Sequence, residues 1–565
     1  MFKADRKVVM LLAALIVAGT ALFAAGEEHT GVISGIVKNA SGQAASGAYV
    51  KARNAERGLL FMVVSQDQGS YRLTNLPAGN YKVQGIGGTM QSDSAATVVV
   101  ASGKEVSANL TLNGPRPDRP NEPWRSTGPP LNDKEREALK VHESWLAGRV
   151  ASQVPEGPGK AIFTSTCSVC HSLPVNERGS REDWAETVAD MVGRGAKFPS
   201  EQDKETLLNY LAANFGEGVP RSPLNAESLW SGHLSRTLLT GAPAKYKVVE
   251  SEIPPGAGAH DATVDQEGIA WMNDSAGNGM GRFDPKTLTY TRVVFPKGKT
   301  GKRAQTVGIE VDPKGHVWIM DATNERVLEY DPRNQKFNEY LSDQIGGGNA
   351  WNTLRILPDG TVWGSDVRQN KVVKLNPATK EFTLYPVPSG VRENRSVRPY
   401  GMAVDGAGKL WFAQQDTNRV GKIDPKSGEI AEFPMAEVAT RSGRPRRMAT
   451  DSKGDIWLAV TEANKLVRWD FRTDKYTIFP LPTDDAGPYG IDVDTKHDLV
   501  WISTVRADKL FRFDIKTSTF MEFHFPTMDS FIRRVKVDPT NPNRIWYSGG
   551  GSRSYDKVGY VEVVE

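Results

Sequence analysis

Residues 398–434 read RPYGMAVDGAGKLWFAQQDTNRVGKIDPKSGEIAEFP and contain the pattern that decides the fold of most of the chain. Short apolar runs alternate with turn clusters that contain Asp-Gly, Asn-Arg and Pro-Lys-Ser-Gly. Runs bounded in this way are typical of antiparallel strands joined by tight turns. The stretch therefore predicts one sheet of four short strands, with Trp411 on the second strand.

The same unit recurs through the C-terminal part of the chain. Its tryptophan returns every 44 to 48 residues, at Trp271, Trp318, Trp363, Trp411, Trp457, Trp501 and Trp546. Seven four-strand units of this period predict a seven-bladed β-propeller over residues 244–565. The seventh unit lacks an outer strand, and an isolated run, Tyr246 to Glu250, stands just before the first unit. We expect this run to complete the seventh blade and close the ring.

Upstream of the propeller, short β-type runs alternate with turn clusters between Gly31 and Leu112. This pattern predicts a small antiparallel β-sandwich over residues 30–113. Residues 114–132 carry six prolines, which favour a stiff and extended chain. We expect this linker to hold the sandwich away from the rest of the protein.

Composition excludes several classes of protein. Of the 565 residues, 24% are charged and 39% are apolar, which suits several folded domains and neither a disordered chain nor a multispanning membrane protein. The net charge of +3 is too even for a nucleic-acid binder. Residues 1–26 combine a basic head, an apolar run and small residues, which predicts an export signal, with an uncleaved anchor as the alternative. We expect a periplasmic or secreted protein with no integral membrane domain after cleavage.

Both cysteines of the chain lie in one motif, so a disulfide scaffold is excluded. Cys167, Cys170 and His171 have the Cys-x-x-Cys-His spacing of covalent haem c attachment, in which the thiols add to the haem vinyl groups and the histidine is the proximal iron ligand. A redox dithiol gives no reason for the adjoining histidine, and a zinc site needs further cysteines. The motif therefore predicts one covalent haem c.

The residues around this motif resemble the cytochrome c family over residues 133–220. Lys160 to Phe163 matches the first helix and Glu205 to Leu211 the closing helix, and Asp133 to Leu146 is expected to form an extra helix ahead of them. Trp184 to Met191 is similar to the quinohaemoprotein amine dehydrogenase type of this domain. The resemblance implies an all-α cytochrome c domain. The expected fold class is therefore multidomain and mainly β, with a small β-sandwich, an all-α cytochrome c domain and a seven-bladed β-propeller.

Two residues are candidates for the distal iron ligand. Met191 is the only methionine between residues 131 and 220, and its thioether would give the His/Met coordination of soluble electron carriers. His142 would give bis-histidine coordination at a lower potential. An open iron site is a third alternative, and Met191 then packs on the helix face that it shares with Trp184 and Val188.

The first domain resembles the carboxypeptidase regulatory-like domain, in Gly35-Ile36-Val37, in Asp67 to Tyr71 and in Leu76 to Tyr81. The resemblance implies a fold related to starch-binding-like modules. A spacer or docking role and contact with carbohydrate stay as alternatives for it.

The blade pattern resembles virginiamycin B lyase, the streptogramin lyase propeller. In that family one late blade opens Arg-Pro-His and the next Glu-Pro-His-Gly, and the resemblance implies metal-assisted ring opening by the glutamate and both histidines. The matching positions here read Arg444-Pro445-Arg446 and Gly487-Pro488-Tyr489-Gly490. Arginine is no base near neutral pH, and glycine has no side chain to hold a cation. We therefore expect the fold without the lyase activity.

Aligning the blades on their tryptophans predicts two sets of side chains at the mouth of the channel. Apart from Val307, the residues that open the inner strands are His260, Asn352, Tyr400, Arg446, Tyr489 and Arg533, with Arg398, Arg444, Arg447 and Arg534 beside them. Three residues after the early tryptophans stand Asp274, Asp321 and Asp366. One interpretation is a solvated rim whose charges pair with one another, and the other is a pocket for a small ligand or an anionic group. The acidic trio is also a candidate site for a hard cation.

The haem motif favours an exported protein that transfers one electron at a time, with the propeller as a docking or substrate-binding platform in a periplasmic oxidoreductase system. Such a protein needs a redox partner protein. A propeller lyase and a surface module that binds a glycan are the alternatives. One haem supports only one-electron steps, so two-electron chemistry would need a second cofactor, and the sequence leaves open whether the chain is itself an enzyme.

Overall fold

The N-terminal strands pack as two sheets around one core. The structure, a computed structural model of the chain, describes residues 30–93, 95–116, 154–167, 179–193, 196–216, 218–219, 231–254, 257–275, 277–346, 348–439, 443–528, 530–551 and 554–564. The first strands are β1 (Gly31–Asn39), β2 (Tyr49–Asn54), β3 (Leu59–Val64), β4 (Ser70–Leu76), β5 (Gly79–Gly87), β6 (Met90–Gln91), β7 (Ala96–Val100), β8 (Glu105–Ser107), β9 (Leu110–Leu112) and β10 (Gly114–Pro115). One sheet has the order β4-β1-β8 with β9 beside β1, and the other begins β10-β6-β5-β2-β3 with β7 beside β5. Buried side chains such as Val37, Tyr71, Ala52 and Val83 fill the space between the sheets, so the sandwich prediction is confirmed.

Helices occupy the described residues between 154 and 216. They are α1 (Lys160–Thr166), α2 (Arg181–Gly193) and α3 (Glu201–Asn214). Ser200 caps α3, because its hydroxyl accepts the backbone N–H of Asp203 at 3.1 Å. The helices bury a small common core of Phe163, Trp184, Leu207, Leu211 and Phe215.

The prediction of an all-α cytochrome c domain is wrong. The described residues contain four α-helices, of which α4 (Pro388–Arg392) lies in a propeller loop, and the chain folds as a mainly β protein with a sandwich-like and a propeller-type domain. Helical periodicity is a local signal, so it predicts helices such as α1 and α3 correctly. A closed all-α domain depends on packing between distant segments, and three short helices around one small core do not amount to it. The expected helix over Asp133 to Leu146 lies outside the described residues.

In the described part of the chain, the first six repeats each fold as a separate four-stranded antiparallel sheet, and the seventh supplies three strands to a larger sheet. Strand β11 (Tyr246–Glu252) precedes the first blade. Blades 1 to 3 consist of β12 (Ala262–Val264), β13 (Ala270–Asp274), β14 (Gly279–Asp284), β15 (Thr289–Val294), β16 (Thr306–Val311), β17 (Val317–Asp321), β18 (Arg326–Asp331), β19 (Lys336–Leu341), β20 (Trp351–Ile356), β21 (Val362–Asp366), β22 (Lys371–Asn376) and β23 (Glu381–Pro386).

The later blades continue this order. Blades 4 to 6 consist of β24 (Pro399–Val404), β25 (Leu410–Gln414), β26 (Arg419–Ile423), β27 (Ile430–Pro434), β28 (Pro445–Thr450), β29 (Ile456–Val460), β30 (Lys465–Asp470), β31 (Lys475–Pro480), β32 (Pro488–Asp494), β33 (Leu499–Thr504), β34 (Lys509–Asp514) and β35 (Thr519–His524). Blade 7 contains β36 (Arg534–Asp538), β37 (Asn541–Gly551) and β38 (Ser554–Val563).

A buried aspartate explains the Asp and Trp of the repeat. In blade 4, Asp405 accepts the backbone N–H of Ala407 and of Lys409 at 2.9 Å each, and it accepts the indole N–H of Trp411 at 2.7 Å. The same bond from indole to aspartate recurs at Trp271, Trp318, Trp457 and Trp546. Each such aspartate ties the first turn of its blade to the buried tryptophan and leaves no buried indole donor unpaired there.

Strand β11 joins the two β-domains. It pairs with β38, where Val248 lies opposite Val561, and so completes the seventh blade, as predicted. Its other edge pairs with β3, where Val249 lies opposite Phe61. The second sandwich sheet and the seventh blade thus form one ten-stranded sheet, and the expectation of a sandwich held away from the rest is wrong. Residues 114–116 of the expected linker belong to the sandwich, and residues 117–132 lie outside the described part.

Polar groups are buried along this seam as well. The Arg116 guanidinium donates to the carbonyls of Ser231 and Leu234 at 2.6 and 2.9 Å, and Arg53 pairs with Glu252 at 2.5 Å. Lys51 is fully buried, and burial lowers its pKa to about 7 although Glu250 opposes the shift. No helix in the described residues is long and apolar enough to cross a membrane, and the expected signal over residues 1–26 lies outside them.

Candidate functional site

All inner strands of the propeller begin at the same end of the channel, so the residues that open them share one mouth. In blades 2 to 6 the pairing of the inner strand with its neighbour shifts register near this end, for example between Pro445 and Met448. Such irregularities re-aim side chains. The consecutive residues Arg446 and Arg447 consequently both lie over the ring of Tyr400, with guanidinium carbons 5.4 and 5.3 Å from its centre.

Arg446 lies between two tyrosines. Its guanidinium carbon is also 4.6 Å from the ring centre of Tyr489, and the hydroxyls of Tyr400 and Tyr489 hydrogen-bond to each other. Arg446 is 8% exposed, yet among the described residues it has no carboxylate partner, and its buried Nε donates to nothing. Cation–π attraction recovers part of the cost of burying this charge, but the guanidinium hydrogens stay available.

Arg533 brings a second cation to the mouth, one blade beyond Tyr489. Its guanidinium carbon lies 4.4 Å from the ring centre of Phe531. Within the described ranges, no acidic side chain forms an ion pair with it, in contrast to Arg398, which pairs with Asp416 at 3.5 Å. Arg446 and Arg533 are therefore the cations at this mouth that the described residues leave without a counter-charge.

The two titratable neighbours of Arg533 respond to its charge. The pKa of His260 is lowered to about 4, mainly by burial and in smaller part by the charge of Arg533, while Asp261 opposes the shift, so the imidazole is neutral at pH 7. Burial opposes the ionisation of Tyr489, but the charges of Arg446 and Arg533 outweigh it and lower the pKa of this phenol. The mouth thus has a positive potential that favours negative charge.

A layer of ion pairs lies further along the same inner strands, one residue on at Asp261, Arg447 and Arg534 and three residues on at Glu310 and Arg355. Asp261 accepts hydrogen bonds from Arg447 at 2.6 Å and from Arg534 at 3.2 Å. Glu310 pairs with Arg534 and with Arg355, each at 2.7 Å. Burial alone would raise the pKa of both carboxyl groups, but the guanidinium groups lower it, to about 2 for Glu310. We call these five residues the floor and the six predicted residues above them (His260, Asn352, Tyr400, Arg446, Tyr489 and Arg533) the mouth ring.

The structure brings the predicted mouth ring together. Tyr400, Arg446 and Tyr489 are in direct contact, and the charge of Arg533 acts on Tyr489. The carbonyl of Asn352 accepts a hydrogen bond from Arg447 at 3.3 Å, and its side-chain oxygen is buried with no donor. The side chain of Val307 lies outside the described part.

The acidic trio does not form a common site in the structure. Asp274 pairs with Arg292 at 2.6 Å, and Asp321 pairs with Arg326 at 3.0 Å. Asp366 accepts the backbone N–H of Arg368 at 3.0 Å and that of Gln369 at 3.2 Å. Each carboxylate has partners from its own blade, which leaves little reason for a shared cation.

Sequence reasoning missed the two carboxylates of the floor, Asp261 and Glu310. Asp261 follows His260 just as Arg447 follows Arg446. The blade alignment therefore already places Asp261 and Arg447 at matching positions. Glu310 sits beyond the register shift of β16, and simple alternation along the strand gives no reason to place it against Arg534. Only the closed ring brings blade 2 against blades 3 and 7 at this point.

The Cys-x-x-Cys-His motif is only partly described. Cys167 follows α1, is half-buried and packs against the helical core, and burial raises the pKa of its thiol to about 11. Cys170, His171 and His142 lie outside the described residues. Met191 belongs to α2, but its side chain is outside the described part.

Helix α2 contacts the mouth end of the propeller. Glu186 pairs with Lys302 at 2.7 Å, and Asp183 with Arg303 at 3.3 Å. Both cations belong to the loop between β15 and β16, and this loop leads into an inner strand at the mouth. The helices next to the haem motif and the mouth ring therefore share one end of the propeller.

The protein therefore has a propeller-type domain and a sandwich-like domain. Strand β11 closes the propeller and also pairs with the sandwich. Residues 297–564 match the virginiamycin B lyase family, and residues 32–113 match the carboxypeptidase regulatory-like domain. The chain thus contains a propeller like that of virginiamycin B lyase and a carboxypeptidase regulatory-like domain. No curated protein matches the chain.

One solved structure agrees with the propeller. A streptogramin B lyase structure is 18% identical with a TM-score of 0.50, and the match covers 57% of this chain and all of that one. A virginiamycin B lyase from Staphylococcus aureus is also 18% identical with a TM-score of 0.49 over the same shares of the two chains. At this identity the likeness shows the fold alone.

Proposed function

We propose that the chain is an exported c-type haem protein that transfers single electrons, with the propeller as its docking or substrate-binding platform. The observation that carries this proposal is the motif formed by Cys167, Cys170 and His171, which uses both cysteines of the chain. The propeller by itself supports no particular activity, because one fold serves many functions.

The described part of the motif fits this cofactor. Cys167 is half-buried beside Phe163, and the raised pKa of its thiol reflects an apolar surrounding. Such a surrounding suits a neutral thioether and disfavours a reactive thiolate or a zinc thiolate. Cys167 and Cys170 would hold the haem covalently, and His171 with Met191 would bind its iron. When bound, haem c supplies a reversible one-electron couple.

The contact between α2 and the propeller supports a shared task. Glu186 and Asp183 hold the helices against the loop at the mouth end. A molecule bound at the mouth ring would then lie at the same end of the propeller as the haem motif. A redox partner protein that approaches this end would meet both.

Covalent attachment is tested by the double variant Cys167→Ala/Cys170→Ala of the exported full chain. We expect it to lose all haem that survives denaturation, while the tryptophan fluorescence of the propeller is unchanged. Thr166→Ala is the matched control, since it alters the neighbouring residue and leaves the motif intact. Haem that stays attached in the double variant would refute the c-type assignment.

The distal ligand is tested by Met191→Ala. We expect loss of the long-wavelength charge-transfer band of the ferric haem and a lower reduction potential, because a thioether ligand raises the potential. His142→Ala is expected to change neither. An unchanged spectrum in the Met191 variant would leave packing as the role of this residue.

The family match over residues 297–564 favours a lyase as the second candidate. The residues at the matching positions are Arg446, Gly487 and Tyr489, and loss of a general base typically costs roughly 10²–10⁴-fold in rate. We therefore expect no ring opening of streptogramin B above background with added magnesium. Robust turnover, measured as loss of the cyclic substrate, would establish the lyase instead.

A further inference from the structure

The mouth ring carries charge that the described residues do not balance. Arg446 is nine-tenths buried without an acceptor for its Nε, and Arg533 has no ion pair within the described ranges. In the floor just below, Arg447, Arg534 and Arg355 each have a carboxylate within 2.7 Å. Because buried charges are normally paired, the unpaired and nearly buried Arg446 indicates that a balancing anion comes from outside the chain, and the half-buried Arg533 adds a second cation at the same mouth.

We propose that Arg446, Arg533 and Tyr489 form a binding site for the oxyanion group, a carboxylate or a phosphoryl group, of a small molecule. A guanidinium presents N–H donors in a planar fork that matches two oxygens of such a group. The phenol of Tyr489 adds a donor.

The surroundings define where the anion sits. The rings of Tyr400 and Tyr489 both contact the Arg446 guanidinium. These two rings, and not a carboxylate, therefore hold the guanidinium in place. Below it, the donors of Arg447 and Arg534 are already used by Asp261 and Glu310. The site is thus closed by the floor and binds its ligand at the mouth.

Other ligand classes fit less well. A metal cation would lie beside two guanidinium groups, and the acidic residues Asp274 and Asp321 are engaged by arginines of their own blades. A neutral sugar would leave the charge of Arg446 uncompensated. The site deepens the substrate-platform part of the proposed function, but it consists of propeller residues only and does not depend on bound haem.

The test is isothermal titration calorimetry on the full chain at low ionic strength, with inorganic phosphate and with acetate as separate probes. We expect saturable binding of at least one probe. Arg446→Met and Arg533→Met should each weaken it roughly ten-fold or more, because each removes a hydrogen bond between charged groups. Arg398→Met is the matched control, since that arginine stands at the same end but is 45% exposed and paired with Asp416, and it should bind normally. Binding of phosphate alone would favour a phosphoryl group, and binding of acetate alone a carboxylate.

A further variant and a second measurement distinguish a direct loss of binding from a folding defect. Arg446→Lys keeps the charge and loses the fork, so its affinity should lie between those of the wild type and Arg446→Met. Bound anion should also raise the pKa of Tyr489, followed by tyrosinate absorption, because it offsets the nearby positive charge. The proposal is overturned if neither probe binds the wild type, or if Arg446→Met, Arg533→Met and Arg398→Met all bind alike. The Cys167→Ala/Cys170→Ala variant should bind anion normally, so failure of the haem assignment leaves this result intact.

Discussion

The mouth ring and the floor are built from neighbouring residues and behave in opposite ways. Arg446 and Arg447 are consecutive, as are Arg533 and Arg534. The second member of each pair bonds to Asp261 at 2.6 to 3.2 Å, whereas the first member of each pair has no carboxylate among the described residues. The same side chain is thus structural in one layer and available to a ligand in the next.

This difference teaches that a basic cluster in a sequence has no single meaning. Its role depends on which carboxylates reach it, and here they reach only the floor. Removal of a floor arginine leaves Asp261 or Glu310 buried with fewer partners, whereas removal of a mouth arginine takes away a charge that was already unpaired. Substitution of a floor arginine should therefore mainly lower stability, whereas substitution of a mouth arginine should mainly weaken ligand binding.

The largest expected effect is on the floor. Arg534→Met should lower the free energy of unfolding of the propeller by about 3–5 kcal/mol, because it leaves two carboxylates of a buried network with fewer partners. The measurement is denaturant unfolding followed by tryptophan fluorescence. Arg533→Met is the adjacent control and should change stability by less than about 1 kcal/mol. Equal losses in the two variants would abolish the distinction between the layers.

The pH dependence of the unfolding free energy tests whether the floor holds its carboxylates ionised. The pKa of Glu310 is lowered to about 2 from an ordinary value of 4.5, since Arg534, Lys536 and Arg355 together outweigh the effect of its burial. Between pH 4.5 and 2 the unfolded chain therefore binds the proton and the folded chain does not. The stabilisation is fully present above pH 4.5 and is lost as the pH falls toward 2, in total about 3 kcal/mol.

The measurement is unfolding free energy against pH in that range. Glu310→Gln should show a flatter acid dependence than the wild type, although it is less stable at neutral pH. The exposed residue Glu381 serves as control, since Glu381→Gln should keep the wild-type slope. An unchanged slope in the Glu310 variant would mean that this carboxyl group is not held ionised by the floor.

A smaller effect is expected at Tyr489. Its pKa is lowered because Arg446 and Arg533 outweigh its burial, so Arg446→Met should raise it. Titration of tyrosinate absorption, with Tyr489→Phe to identify the signal, gives the answer. Arg398→Met should leave this titration in place, and a Tyr489 titration that is insensitive to Arg446 would contradict the contact between them.

The smallest effect is expected where α2 meets the propeller. Glu186 and Lys302 are each about 60% exposed, and exposed ion pairs contribute at most about 1 kcal/mol. Glu186→Gln should therefore change stability very little but should weaken protection of the helices from proteolysis at low salt. Glu201→Gln, on α3, is the control. A large loss of stability would contradict the assignment of this pair as an exposed contact of small energetic weight.

The propeller was predictable because its code is local and repeated. Asp405 and Trp411 stand six residues apart in one blade and bond directly, so the same spacing in other blades identifies the same turn. The closing strand was also predictable, since Tyr246 to Glu250 was left without a partner in its own unit. The helices were predictable from periodicity, but the all-α domain inferred from a family resemblance was wrong, because local helical signals do not determine how many elements close a core.

Residue order alone determined the seven repeats, the turn aspartates, the sandwich strands and the place of the Cys-x-x-Cys-His motif, since each is a short-range pattern. Tertiary structure decided which arginines are paired. Register shifts at the channel mouth turn consecutive residues toward one space, and ring closure brings Asp261 and Glu310 within bonding distance of arginines that are 45 to 273 residues away. Tertiary structure also decided that β3 pairs with β11. The unpaired N–H and C=O groups of an edge strand bond to whichever strand the fold places beside them, and the sequence of the edge strand does not specify that partner.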